Sequence, residues 1–329
     1  MWFPRARTIE LRDEAVPGVG PRDVRVRAVA SALSHGTEML VYRGQVPAEL
    51  ALDLPTLAGS FDLPIKYGYA SVGRVVEIGG DVNELAVGDL VFTHHPHQTE
   101  YVVSASLPIR LDPGTDPEAA VFLANIETAV NVVLDAAPRI GERIVVLGQG
   151  VVGLLVTQLL RRAGVSCVIA VEPIARRRAL ARACGADVAV APDDAADAVR
   201  DATRGAGADL AIEASGKGGA LALAIDLVAF QGTIVVCSWY GAAPVALPLG
   251  GAFHRRRLRL VSSQVSHLDP ALAPRWDPAR RLALARSLVA DLVTVALISH
   301  RIPVSRAPEA YALVDQHPEE TVQVVLTYP

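Results

Sequence analysis

Glu142 to Glu172 reads ERIVVLGQGVVGLLVTQLLRRAGVSCVIAVE, and this stretch decides the fold. Ile144 to Leu147 is a short apolar run, as expected of a strand covered on both faces. Gly148, Gly150 and Gly153 follow at G-x-G-x-x-G spacing. Val151 to Arg162 reads as an apolar helix that turns basic at its end and stops at Gly164. Val168 to Val171 is a second buried strand, and Glu172 stands at its tip. The three glycines serve different ends. Gly148 makes a tight turn, Gly150 admits a pyrophosphate, and Gly153 lets helix and strand pack closely. The free N–H groups of Val151, Val152 and Gly153 and the positive helix end face the phosphates. Glu172 can accept hydrogens from both ribose hydroxyls of an adenosine. Strand, glycines, helix, strand and terminal acid in this order point to a dinucleotide site.

The flanking sequence extends the pattern. Strands over 188–191, 210–214 and 233–238 alternate with helices over 176–184, 195–204 and 218–230, which implies a doubly wound parallel sheet. Before it, the first 110 or so residues are β-rich. Asp23 to Val29 alternates polar and apolar, and strands are expected near Gly73–Ile78, Leu90–Phe92 and Tyr101–Val103. Asp116-Pro117-Glu118 opens a long helix expected to run to Ala137. Asn125, Thr128, Asn131 and Asp135 share one of its faces, with Glu127 on the border. That stripe is either solvated or lines a polar cleft.

Composition narrows the function classes. The 329 residues carry a net charge of −4 and a pI near 6.1, which recommends neither nucleic acid nor an anionic membrane as partner. Cys167, Cys184 and Cys237 are odd in number and widely spaced, so reduced core thiols in a cytoplasmic protein are expected. The first residues show no apolar signal-like segment.

Several short motifs carry a resemblance. Tyr67-Gly68-Tyr69-Ala70-Ser71-Val72-Gly73-Arg74-Val75 resembles a G-H-E-x-x-G-x-V stretch, and Val87-Gly88-Asp89-Leu90-Val91 resembles V-G-D-R-V. Leu297 to Arg301 and Val324 to Tyr328 resemble a closing segment. Together with the nucleotide motif they are similar to the medium-chain dehydrogenase/reductase family. Ser34-His35-Gly36-Thr37-Glu38 with Gly68 to Gly73 is similar to its bacteriochlorophyllide dehydrogenase-like subgroup. The resemblance implies an α/β protein: a GroES-like β-rich catalytic domain from residues 1–120 and 266–329, around a Rossmann domain at 121–265.

It also implies a zinc site that this chain has lost. Zinc members bind the metal through a cysteine, the histidine of G-H-E and a further cysteine or glutamate. Those positions hold His35, Tyr69 and Ala124 here, and Ala70 replaces the glutamate that follows the histidine. A catalytic zinc needs about three nitrogen, sulfur or carboxylate donors, so no metal is expected. His35, with one of His94, His95 and His97 and with Glu127, is a conceivable substitute set. Otherwise those three histidines, with Asn125, are candidates for the substrate mouth or are simply exposed.

Without zinc, proton handling falls to side chains. Thr37 is the candidate relay, His35 the acid or base, and Tyr69 the hydrogen-bond donor to a carbonyl oxygen. Glu38 orients its neighbours, and Glu127 is a reserve candidate. Trp239 and Tyr240, after a Rossmann strand, are placed to close on a nicotinamide, with Ser238 beside them. Glu172 favours NAD over NADP, against which stands Arg177 in the run Arg176 to Arg178. The expected activity is NAD-linked, zinc-independent interconversion of a small alcohol and ketone by a homodimer. The alternatives are a zinc-free enoyl reductase and a catalytically silent nucleotide-binding homologue.

Overall fold

The computed structural model describes residues 1–47, 49–54 and 56–329. The chain divides into two compact units, Met1–Ala124 with Thr294–Pro329, and Asn125–Val293.

The first unit is built on a seven-stranded sheet. Its order is Ile298–Pro303, Gln323–Thr327, Asp23–Ala32, Ser71–Ile78, Leu90–Thr93 and Ile109–Arg110, with Glu100–Ser104 also paired to Asp23–Ala32. The alternation read in Asp23 to Val29 is real: Val24 and Val26 are fully buried while Arg27 and Val29 face out. The last strand closes the unit by pairing with the first long one, Leu326 opposite Ser31. One core gathers Phe3, Leu33, Met39, Tyr67, Tyr311 and Leu326; another gathers Val24, Val75, Val91 and Tyr101.

The second unit holds a six-stranded, wholly parallel sheet. Its order is Val188–Val190, Cys167–Val171, Arg143–Leu147, Ala208–Glu213, Val228–Val236 and Arg259–Ser262. The order reverses between Arg143–Leu147 and Ala208–Glu213, which is where open α/β sheets leave a crevice for ligands. Ile144, Val145 and Val146 have no exposed surface, as a two-sided strand requires.

Four expectations need correction. The long helix is two, Pro117–Ala120 and Leu123–Ala136, because Phe122 N bonds back only three residues, to Ala119 O. Asp116 does cap the first, accepting from Glu118 N at 2.9 Å. Val228–Val236 is all strand, so the preceding helix ends at Leu227 and Ser238 lies in the loop beyond. Of the cysteines only Cys184 is fully buried. The second unit continues to Val293 instead of ending at 265, because helix Pro278–Leu288 is anchored in it: Arg281 reaches Glu127 and Asn131.

Candidate functional site

In the second unit the glycine loop has the expected construction. Gly148 adopts φ 92°, in the left-handed region, and its N–H bonds to Val171 O at 2.8 Å. A Cβ there would lie 2.6 Å from Ser215 Cα, and one on Gly153 would lie 2.0 Å from Gly148 O. Neither position admits a side chain. Gly150 has nothing within 4 Å of such an atom, so the loop is open on the side where a phosphate would approach. Val151 is buried and Val152 half-buried at the start of the helix Val151–Arg162. Gln149 is tucked under the loop, donating to Val146 O at 3.3 Å and accepting from Thr157 at 3.2 Å.

Glu172 is 3% exposed. Its Oε2 accepts from Gln149 N at 2.7 Å and its Oε1 from Ile174 N at 3.1 Å. Each carboxylate oxygen offers about two acceptor sites, so both oxygens retain capacity for ribose hydroxyls. The three arginines separate. Arg178 caps the strand end through Glu172 O and Pro173 O, at 2.8 and 2.7 Å, while Arg176 is exposed. Arg177 is half-buried; burial lowers its pKa, and the Glu172 charge opposes that shift.

A second acid was missed at the sequence level. Glu213 ends the strand Ala208–Glu213 as Glu172 follows Cys167–Val171, so an acid after an apolar run was the available signal. It has no exposed surface. Its Oε1 accepts from Ser215 N and Ser215 Oγ at 2.7 and 2.5 Å, and its Oε2 from Tyr240 OH at 2.6 Å. Ser238 Oγ accepts from Gly216 N at 2.8 Å.

In the first unit, Ser34 to Glu38 leads from strand Asp23–Ala32 into the short helix Thr37–Tyr42. Glu38 has no exposed surface. Its Oε2 accepts from Ser34 N at 3.0 Å, and its Oε1 accepts from Tyr311 OH and faces His97 Nε2 at 2.8 Å. His97 Nδ1 meets Ser31 Oγ at 2.6 Å, and Ser31 Oγ meets Tyr328 OH at 2.8 Å. Gly68, at φ 120°, lets this ring in: a Cβ would lie 2.5 Å from His97 Cδ2. Next to Gly68, Tyr69 donates its hydroxyl to Ser34 Oγ at 2.6 Å. Burial raises the phenol's pKa, Glu38 adds to it, and bonds to Ser34 and Thr37 pull the other way. The structure therefore brings Thr37, Glu38, Tyr69 and His97 into one hydrogen-bonded cluster with Ser31 and Ser34. His35 and Thr37 are half-buried at its edge in sequence.

The histidine run does not behave as an exposed loop. His97 is fully buried. His95 is 8% exposed and stacks on Tyr101 with ring centroids 3.8 Å apart and planes at 10°. Burial lowers its pKa from 6.5 to about 4. His94 is half-buried, edge-on to Phe92, and its pKa is also lowered by burial.

The polar helix face is neither solvated nor open along Glu127 to Asp135. Arg281, 5% exposed, contacts Glu127 Oε1 at 3.1 Å and Asn131 Oδ1 at 2.6 Å. Asn131 and Ser263 both donate to Asp135 Oδ2, at 2.9 and 2.6 Å. Asn125, two residues before Glu127, is half-buried.

The positions matched to the family's zinc ligands hold His35, Tyr69 and Ala124. Tyr69 gives its hydrogen to Ser34, Ala124 has no donor atom, and Glu38 already holds Tyr311, His97 and the Ser34 amide. Among the described residues the one trio of convergent metal-ligating side chains is the exposed His317, Glu319 and Glu320.

Residues 151–293 match the family model for zinc-binding dehydrogenase. The chain is 31% identical over 346 residues to D-guloside 3-dehydrogenase of Escherichia coli (strain K12), covering 98% of this chain and 97% of the relative. The fold is similar to that of a dehydrogenase from Sinorhizobium meliloti 1021 bound to NADP, with TM-score 0.78, 22% identity and coverage of 99% and 98%. It is also similar to an alcohol dehydrogenase from Escherichia coli CFT073 complexed with NADH, with TM-score 0.80, 18% identity and coverage of 99% and 98%.

Proposed function

Because the chain belongs to the zinc-binding dehydrogenase family and is an oxidoreductase, we propose that it moves a hydride between NAD(H) and a secondary alcohol or ketone without using zinc. The observation that carries this reading is Tyr69. At the family's histidine position stands a phenol, held 2.6 Å from Ser34 Oγ and raised in pKa by burial.

When bound, the nicotinamide supplies hydride chemistry; the chain's residues manage the proton. A phenol keeps its hydrogen at neutral pH, so Tyr69, on turning that hydrogen from Ser34 Oγ to the substrate oxygen, serves as its donor and stabilises charge developing there. Thr37, bonded to the same phenol, relays the proton, and His35 is its acid or base partner. Glu38 fixes the Ser34 amide and thereby the acceptor that orients Tyr69. His94 and Asn125 remain proposed substrate contacts.

Glu172 supports NAD. A carboxylate held by two backbone amides accepts ribose hydroxyls and repels a 2′-phosphate. The likeness to D-guloside 3-dehydrogenase supports a ring secondary hydroxyl of a glycoside as substrate. The test is reduction of NAD by chelator-treated enzyme with methyl glycosides and simple secondary alcohols, and oxidation of NADH with ketones and enones. Turnover only with enones would replace this reading by enoyl reduction. NADH binding without turnover on any substrate would leave a silent homologue.

The edge strand Arg259–Ser262, bearing the 40% exposed Leu260, supports a two-fold homodimer through paired sheet edges. A light-scattering mass near 34.7 kDa, that of one chain, would contradict it. Free cysteines support a cytoplasmic setting, and no described helix is long and apolar enough to cross a membrane.

A further inference from the structure

We propose that Glu213 and Tyr240 form a clasp that positions the nicotinamide half of the dinucleotide site. This rests on the reading of the second unit as a dinucleotide-binding fold. Two loops follow adjacent parallel strands there: residues 214–217 after Ala208–Glu213, and residues 237–240 after Val228–Val236. Both leave the carboxyl ends of strands on the far side of the switch point from Glu172. A dinucleotide that sets its adenosine ribose on Glu172 and its pyrophosphate on the glycine loop must lay its other nucleoside along these loops.

The clasp ties them together. Glu213 takes two hydrogens from Ser215 on one oxygen and the Tyr240 hydroxyl on the other. Its backbone oxygen accepts from Cys237 N at 3.0 Å and Cys237 Sγ at 3.1 Å. Gly216 N closes the same pair of loops through Ser238 Oγ at 2.8 Å, and Lys217 N bonds Ser215 Oγ at 3.1 Å. A buried carboxylate is unfavourable unless its oxygens are satisfied. Here every donor it holds comes from the two loops, so the acid fixes their mutual position. The first loop also packs on Gly148.

The two ties divide the labour. Glu213 with Ser215 holds the first loop beneath the phosphate turn. Tyr240 and Ser238 hold the second loop, which carries Trp239. Tyr240→Phe leaves the Ser215 and Cys237 bonds intact and removes one side-chain tie on the second loop. Ser238→Ala removes the other side-chain tie.

The experiment measures NADH and ADP-ribose affinity by calorimetry for wild type, Tyr240→Phe and Ser238→Ala, with thermal melting as the folding control. The expected result is NADH affinity lowered about tenfold in both variants, ADP-ribose affinity within twofold of wild type, and melting little changed. Wild-type NADH affinity in both variants would overturn the clasp. So would equal losses of NADH and ADP-ribose, which mark a merely structural role. Wild-type protein that binds neither ligand would overturn the dinucleotide reading itself, and the clasp with it.

Discussion

His97 and Glu38 face each other with Nε2 and Oε1 2.8 Å apart, and neither has exposed surface. The pair is fully provided for: Ser31 serves the other ring nitrogen, while Tyr311 and the Ser34 amide serve the carboxylate. In Glu38→Gln, the amide oxygen can keep the Ser34 N–H, but the NH2 group then replaces the acceptor that holds Tyr311 OH and faces His97 Nε2. A buried donor left unsatisfied costs about 1–3 kcal/mol, and loss of charge-assisted bonds adds to it. The expected outcome in urea unfolding is a loss of about 2–4 kcal/mol in stability. Wild-type stability would show that the pair contributes nothing.

Tyr69→Phe removes the hydroxyl while keeping the ring. Turnover should fall at least about tenfold, or about 1.4 kcal/mol of transition-state stabilisation. NADH affinity should stay near wild type, since the glycine loop and Glu172 are untouched. His35→Ala and Thr37→Val should act in the same direction. Steady-state kinetics beside fluorescence titration checks this. Unchanged turnover in Tyr69→Phe would remove the phenol from the mechanism.

His95 gives the chain a pH dependence of stability. Its folded pKa is depressed from 6.5 to about 4 by burial. The unfolded chain therefore takes up a proton at this position below about pH 6.5, and the folded chain only near pH 4. The contribution is intact above the unfolded pKa, is lost as pH falls through this window, and levels off below it. The loss is on the order of 3 kcal/mol at its limit. His95→Phe keeps a ring against Tyr101 and removes the titration. Its unfolding free energy should fall less than wild type's between about pH 7 and pH 4.5. Parallel declines would exclude His95 as the source.

Cofactor choice turns on Glu172. NADH should bind more tightly than NADPH, and Glu172→Ser should narrow the difference by removing the carboxylate that repels a 2′-phosphate. Arg177 is close enough in the chain to help a phosphate once that charge is gone. Fluorescence titration with both cofactors decides it, and tighter NADPH binding to wild type would overturn the assignment.

Much of this fold was legible because its signals are local. The run from Glu142 to Glu172 carries periodicity, glycine spacing and stop signals within single elements, and helix Val151–Arg162 and strand Cys167–Val171 follow it closely. The clusters were not legible, because sequence distance hides them. His97 meets Ser31 66 residues away and Tyr311 meets Glu38 across 273. Likewise, Glu127 and Asn131 form a stripe open to either reading until Arg281, 154 and 150 residues further on, fills it. His94, His95 and His97 looked alike in sequence. They turn to Phe92, Tyr101 and Glu38 respectively, because residues after an extended strand point in different directions. Glu213 was within reach, as a second acid closing an apolar strand, but its partner Tyr240 comes from the next loop.

On the proposed reading, Tyr69, Thr37 and His35 do the work that a metal does in zinc-binding relatives. Plasma emission on freshly purified enzyme, with turnover measured before and after chelation, tests it most directly. Far less than one zinc per chain and unchanged turnover are expected. One zinc per chain, with activity lost on chelation and restored by zinc, would contradict the claim.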